Sequence, residues 1–143
     1  MAIEQGATNA FKTGLPSGTF NFASDTFKIA LYIATADLGP ATSAYTTSGE
    51  ITGTGYSAGG LVLTVSVQPT VGADPNNTVA YLSFNNALWN PAAFTCRGAL
   101  IYKSGGGNPT VCVLDFGSDK TCTTTFEIQF PSATSTSAII RIA

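Results

Sequence analysis

Apolar and polar residues alternate along most of this chain, with a period of two that begins near residue 26. Within 26–33, Phe27, Ile29, Leu31 and Ile33 share one face while Lys28, Ala30 and Tyr32 share the other, which predicts a half-buried strand. Leu61, Leu63, Val65 and Val67 alternate with Val62, Thr64 and Ser66 in a second strand. The same reading predicts strands over 78–84, 87–89, 94–103, 110–116, 126–130 and 138–142, and a short one over 50–54. Gly98 marks a bulge within its strand. Glycine, proline and asparagine supply the punctuation. Loops are expected over 36–49 and 69–77, with a turn at Pro75-Asn76-Asn77. Further turns are expected at Asn90-Pro91, 105–109 and 117–120, and Pro131 closes the strand before it.

Before residue 26 the spacing is different. Ile3, Ala7, Ala10, Phe11 and Leu15 recur at helical intervals, so a short helix is expected over 3–15, stopped by Gly14, Pro16 and Gly18. About eight short strands without helix–strand alternation predict an all-β fold, an antiparallel β-sandwich or jelly roll. Residues 1–24 form an N-terminal arm with its short helix, and residues 25–143 form the sandwich domain.

Composition narrows the function. Only 10% of the residues are charged, the net charge is −2, and there is no histidine. The six Lys and Arg residues are scattered, so no phosphate-neutralising patch forms and nucleic acid is not expected as a partner. No apolar run is long enough to span a membrane. The opening residues lack a basic-then-apolar leader pattern, so the protein is expected to be made in a cytosol. Cys96, Cys112 and Cys122 are odd in number and lack C-x-x-C spacing, so they are read as small buried side chains rather than disulfides or zinc ligands.

Catalytic chemistry finds little material. A serine or cysteine nucleophile needs an activating base, and neither histidine nor a Ser-x-x-Lys motif is present. Glu50, Asp74, Asp115, Asp119 and Glu127 could in principle supply a carboxylate pair, but nothing in their spacing selects two. Asp115-Phe116-Gly117 spells a kinase metal-binding tripeptide without the rest of that set. The glycine runs have no Walker spacing. The sequon Asn76-Asn77-Thr78 has no secretory signal to give it meaning. No enzyme, cofactor or metal site is expected.

The aromatic residues leave three readings open: core packing, a protein-binding surface, or a platform for sugars. The helix stripe has two: it packs on its own sandwich, or it docks on a neighbouring subunit. The residues singled out as candidate partner contacts are Ile3, Phe11, Leu15, Phe20, Phe22, Tyr45 and Trp89. The contact elements are the arm 1–24 and the loops 36–49 and 85–93.

Several stretches carry a family likeness together: 26–32 (TFKIALY), Leu38-Gly39 with 42–45 (TSAY), 50–60 (EITGTGYSAGG), 97–102 (RGALIY), 113–120 (VLDFGSDK), 138–142 (AIIRI) and the opening 1–5 (MAIEQ). In this order they cover nearly the whole chain, which resembles a family of small virion proteins of tailed bacteriophages. The resemblance implies a structural protein. Its expected role is a capsid decoration (cement) protein on the outer face of the major capsid protein shell, acting as a homo-oligomer (dimer or trimer). The other role it implies is a tail or fibre component that contacts glycans. It implies no catalytic residue. The three cysteines stand where the family has ordinary small residues, so the likeness implies no disulfide.

Overall fold

The computed structural model describes residues 2–71, 78–134 and 136–142. It is built of β1 (Gly6–Ala7), α1 (Asn9–Ser17), β2 (Phe27–Tyr32), β3 (Leu61–Leu63), β4 (Val65–Val71), β5 (Ala80–Phe84), β6 (Ala87–Trp89), β7 (Phe94–Lys103), β8 (Thr110–Cys122), β9 (Phe126–Ile128) and β10 (Ile140–Ile142). The fold is all-β with one short helix. The strands form antiparallel sheets in the orders β1-β8-β7-β2-β3, β10-β5-β4 and β6-β9.

The five-stranded sheet carries apolar cover on both faces. On one side Phe27, Ile29, Leu31, Ala99, Ile101 and Val111 pack against Leu82, Phe84, Trp89 and Ile140 from the two smaller sheets. On the other, Ala30, Tyr32, Leu100, Tyr102 and Val113 are covered by Ile3, Ala36 and Leu38, with Tyr45 beside them. The alternation in β2 predicted a half-buried strand. Instead five of its six residues are buried, because the irregular segment after β2 folds back over the polar-looking face. A strand covered on both faces loses the contrast that alternation relies on.

The helix lies further along than its periodicity suggested. It spans Asn9–Ser17 rather than 3–15. Thr8 caps it, its hydroxyl accepting the Phe11 N–H at 3.2 Å and donating to the Thr110 carbonyl at 3.1 Å. The residues before Thr8 are drawn into strand pairing: Gly6 and Ala7 pair with Val113 and Cys112, and Ile3 bridges Leu38. Pro16 is accommodated inside the last turn, and Gly18, at φ 76°, ends the helix. The arm is part of the core. Phe11, Phe20 and Phe22 are buried with Phe27 and Phe84, and the Phe22 and Phe27 rings stack at 4.5 Å. Lys103 fastens the same segment through Asp25 at 3.2 Å and the Thr19 carbonyl at 2.7 Å.

Other boundaries differ in instructive ways. The strand expected over 61–67 is split: β3 joins the large sheet and β4 joins β5, with the Thr64 carbonyl between them accepting the Asn85 N–H. β4 continues through Pro69 to Val71, and the expected Pro75-Asn76-Asn77 turn lies outside the described residues. Glu50 and Thr54 make isolated bridges, to Tyr32 and Ala93, in place of a strand. The turn expected at 117–120 is absorbed into β8. Its pairing with β7 jumps from Gly98↔Asp115 to Cys96↔Lys120, so the extra residues form a bulge around Gly117 at φ 80°.

Candidate functional site

Of the seven residues chosen from the sequence as partner contacts, Ile3, Phe11, Phe20, Phe22 and Trp89 are buried within the chain's own core. Leu15 and Tyr45 are half-buried and also pack against core clusters. Phe11, Phe20, Phe22 and Trp89 are therefore interior material. Trp89 lies between Tyr56, Phe94 and Phe126, with ring centroids 5.9–6.4 Å apart. A β domain of this size satisfies its large rings by packing them together, and this removes them from the exposed contact set.

Four of the five tyrosines converge instead around Glu50. Glu50 Oε1 accepts the Tyr45 hydroxyl at 2.6 Å, while Oε2 accepts the Tyr56 hydroxyl at 2.5 Å and the Gly59 N–H at 2.7 Å. Tyr56 in turn accepts the Leu31 N–H from β2 at 3.0 Å. Tyr102 donates to the Gly59 carbonyl at 2.7 Å, and Tyr32 to the Thr46 carbonyl at 2.7 Å. The Tyr45 and Tyr102 rings stack at 4.7 Å. Burial first, and then Glu50, by its charge at Tyr32 and Tyr102 and by its hydrogen bonds at Tyr45 and Tyr56, hold these phenols in their neutral form, with the pKa of Tyr102 pushed up to about 12. A carboxylate that accepts three donors from one loop fastens that loop to the sheet, and charged acceptors make such bonds stronger than neutral ones. The sequence placed Glu50 among possible catalytic carboxylates, and the fold uses it as an anchor for residues 44–60. Tyrosines spread from residue 32 to residue 102 of the sequence gave no sign of meeting there.

A second feature is a groove beside β8 and β9. Open and of about 660 Å³, it runs between the later half of β8 and residues 126–131. Its floor is Leu114, Phe116, Phe126, Ile128, Phe130 and Ile139, and its rim carries Asp115, Asp119, Lys120 and Glu127. Asp115 belongs to the fold: its Oδ1 accepts the Gly117 N–H at 2.9 Å and Arg97 Nε at 3.2 Å. The Gly117 bond, and then Arg97, hold its carboxyl below the usual carboxylate range. This explains Asp115-Phe116-Gly117 as a bulge motif. Asp119 and Glu127 make no ion pair among the described residues. The sequence reading missed this groove because it took 117–120 for a reversal rather than for continuing strand.

Burial pushes the Cys96 and Cys112 thiols up to about 12, so both are inert side chains of the interior. Among the described residues no group of three or more Cys, Asp or Glu is placed to hold a metal ion, and no helix is long and apolar enough to cross a membrane. Comparison with family models, curated proteins and solved structures finds no match to this chain.

Proposed function

We propose that this chain is a structural component of a tailed-phage virion, a capsid decoration protein that binds the outer face of the major capsid protein shell and acts as a homo-oligomer. The observation that carries the binding part of this reading is where its exposed large apolar side chains lie. Apart from Ile33, just past β2, the exposed large apolar side chains among the described residues are Val62, Val71, Leu88 and Ile142, on β3, β4, β6 and β10. Each of these strands ends its sheet or belongs to the two-stranded one. Natural edge strands are normally protected by charge or cover, and apolar edges associate. The Glu50 anchor and the two-sided core supply the stiff body such an association needs, with its loops already ordered before binding. The resemblance to small phage virion proteins supplies the choice of partner.

Cryo-microscopy of virions carrying this protein tests the reading directly. Density for the chain repeated over the capsid lattice, in hundreds of copies per particle, is the expected result. Density at the tail or fibre in a few copies favours the tail role, and absence from virions ends the proposal.

A further inference from the structure

We infer that the cleft leading from the edge strands β1 and β10 into the groove beside β8 binds a single-chain anionic amphiphile: an unbranched acyl chain with a carboxylate head, taken as a free molecule and not from a bilayer. This goes beyond the virion reading and does not depend on it.

The site lies on an open side of the fold. β1 ends the five-stranded sheet and β10 ends the three-stranded one, and among the described residues no strand joins them. A chamber of about 220 Å³ lies between these edges, with the buried side chains of Phe11, Val111, Cys112 and Ile140 in its wall. It adjoins the groove of about 660 Å³ beside β8 and β9, and the two share Gln5, Leu114 and Ile139. Phe116, Phe126 and Phe130, all half-buried, carry the apolar surface on into the groove. The result is an elongated cleft with an apolar floor, narrow at one end and wide at the other. The groove alone has the volume of a small-molecule site, where apolar walls hold the ligand and a few polar groups fix its orientation. The bulge at Gly117 interrupts the edge of β8 along this cleft. An acyl chain asks for no main-chain partners, so the bulge is no obstacle to it.

Charge sets the sign and the place of the head. In the wide groove, Asp115 is held by Arg97 and the Gly117 N–H, and Glu127 accepts the Gln129 side-chain amide at 2.9 Å. Asp119 follows there directly before Lys120 and opposes its charge. The narrow chamber is different. Arg141 lines it, no carboxylate does, and Arg141 has no hydrogen bond or ion pair among the described residues. A carboxylate head at Arg141 therefore meets a cation and no like charge. Its chain then runs past Leu114 and Ile139 onto Phe116 and Phe126. A cationic head at the same place would meet only repulsion.

The test uses the full chain with dodecanoate, dodecyltrimethylammonium and butanoate, each below its micelle concentration. Affinity is read by titration calorimetry and location by amide chemical shifts. Dodecanoate should bind and shift the amides of Leu114, Ile139 and Arg141. Butanoate, with most of the chain removed, should bind at least about a hundredfold more weakly. The trimethylammonium should bind at least about fivefold more weakly than dodecanoate. Arg141→Glu, at an exposed position, should reverse the preference between the two heads. Should that variant misfold, the wild-type chain gives the same information, because added salt must narrow its preference for the anion. Phosphatidylglycerol vesicles should not carry the protein down on sedimentation. Equal affinity for both heads, a preference unchanged in Arg141→Glu, shifts confined to residues outside the cleft, or no binding at all overturns the inference. So does sedimentation with the vesicles, since the source is then a membrane. A chain absent from virions that still selects dodecanoate sinks the decoration reading alone. A chain on capsids that ignores dodecanoate sinks this inference alone.

Discussion

The Tyr56 hydroxyl donates to Glu50 at 2.5 Å and accepts the Leu31 N–H at 3.0 Å, so one phenol joins a loop carboxylate to the backbone of β2. Glu50→Ala leaves that phenol, the Tyr45 hydroxyl and the Gly59 N–H without their acceptor. Losing the acceptor of several partly buried donors costs about 2–3 kcal/mol. A fall in Tm of roughly 5–15 °C is expected, with Glu50→Gln in between. Hydrogen exchange at Leu31 and Gly59 should quicken in step. An unchanged Tm would show that the loop is held by its apolar contacts alone.

The arm is a second point of attack. Phe11 is buried against Phe20 and Phe22, with ring centroids 5.3 and 6.2 Å away. Phe11→Ala should cost about 3–5 kcal/mol. Deleting residues 1–24 removes three core phenylalanines, and the remainder should show no cooperative melt by circular dichroism. A truncated chain that still melts cooperatively would restore the picture of a detachable arm.

Two glycines separate crowding from backbone strain. A Cβ on Gly60 would sit 1.8 Å from the Ile29 carbonyl oxygen, beside the β2–β3 pairing, at φ 80°. A Cβ on Gly117, also at φ 80°, would meet nothing within 4 Å. Gly117→Ala should cost only the left-handed backbone, about 1–2 kcal/mol. Gly60→Ala adds overpacking of about 1–3 kcal/mol. Chemical denaturation of the two variants measures the difference, and equal losses would mean that β3 shifts freely.

Alkali should destabilise the fold through groups whose protons the folded chain holds more tightly than the unfolded one. The Cys96 and Cys112 thiols rise from about 9 to about 12, and Tyr102 from about 10 to about 12. Below about pH 9 both states keep these protons and the stability is fully present. As pH rises from about 9 to about 12 the unfolded chain releases protons that the folded chain retains, so stability falls. Melting curves taken from about pH 8 to about pH 11 should show Tm declining, less steeply in Cys112→Ala. A flat Tm across that window would contradict the burial of these groups.

Local pattern made the strands legible. β7 was read to the residue, because ten positions bounded by a proline turn and a glycine reversal have one consistent pairing. β2 was located just as well, yet its second buried face was not. Ala30 and Tyr32 look like solvent-side residues until a distant loop covers them. The helix was found but displaced, since Ile3 and Ala7 fit a helical stripe equally well as strand contacts with Leu38 and Cys112. The burial of five candidate partner residues, Ile3, Phe11, Phe20, Phe22 and Trp89, was not legible for a related reason. A sequence records that a ring is apolar, and not whether the apolar surface it meets belongs to its own chain.

The sequence by itself determined the class of the fold, the reversals at Asn90-Pro91 and 105–109 and the poverty of its acid–base chemistry. These depend on side-chain type and spacings of a few residues. Only the tertiary structure decided that the first two dozen residues complete the core, that Glu50 gathers hydroxyls from Tyr45 and Tyr56, and that β8 runs on past a bulge at Gly117. Those outcomes rest on which distant segments meet, and a polar or apolar side chain acquires its role only from the neighbour that folding brings to it.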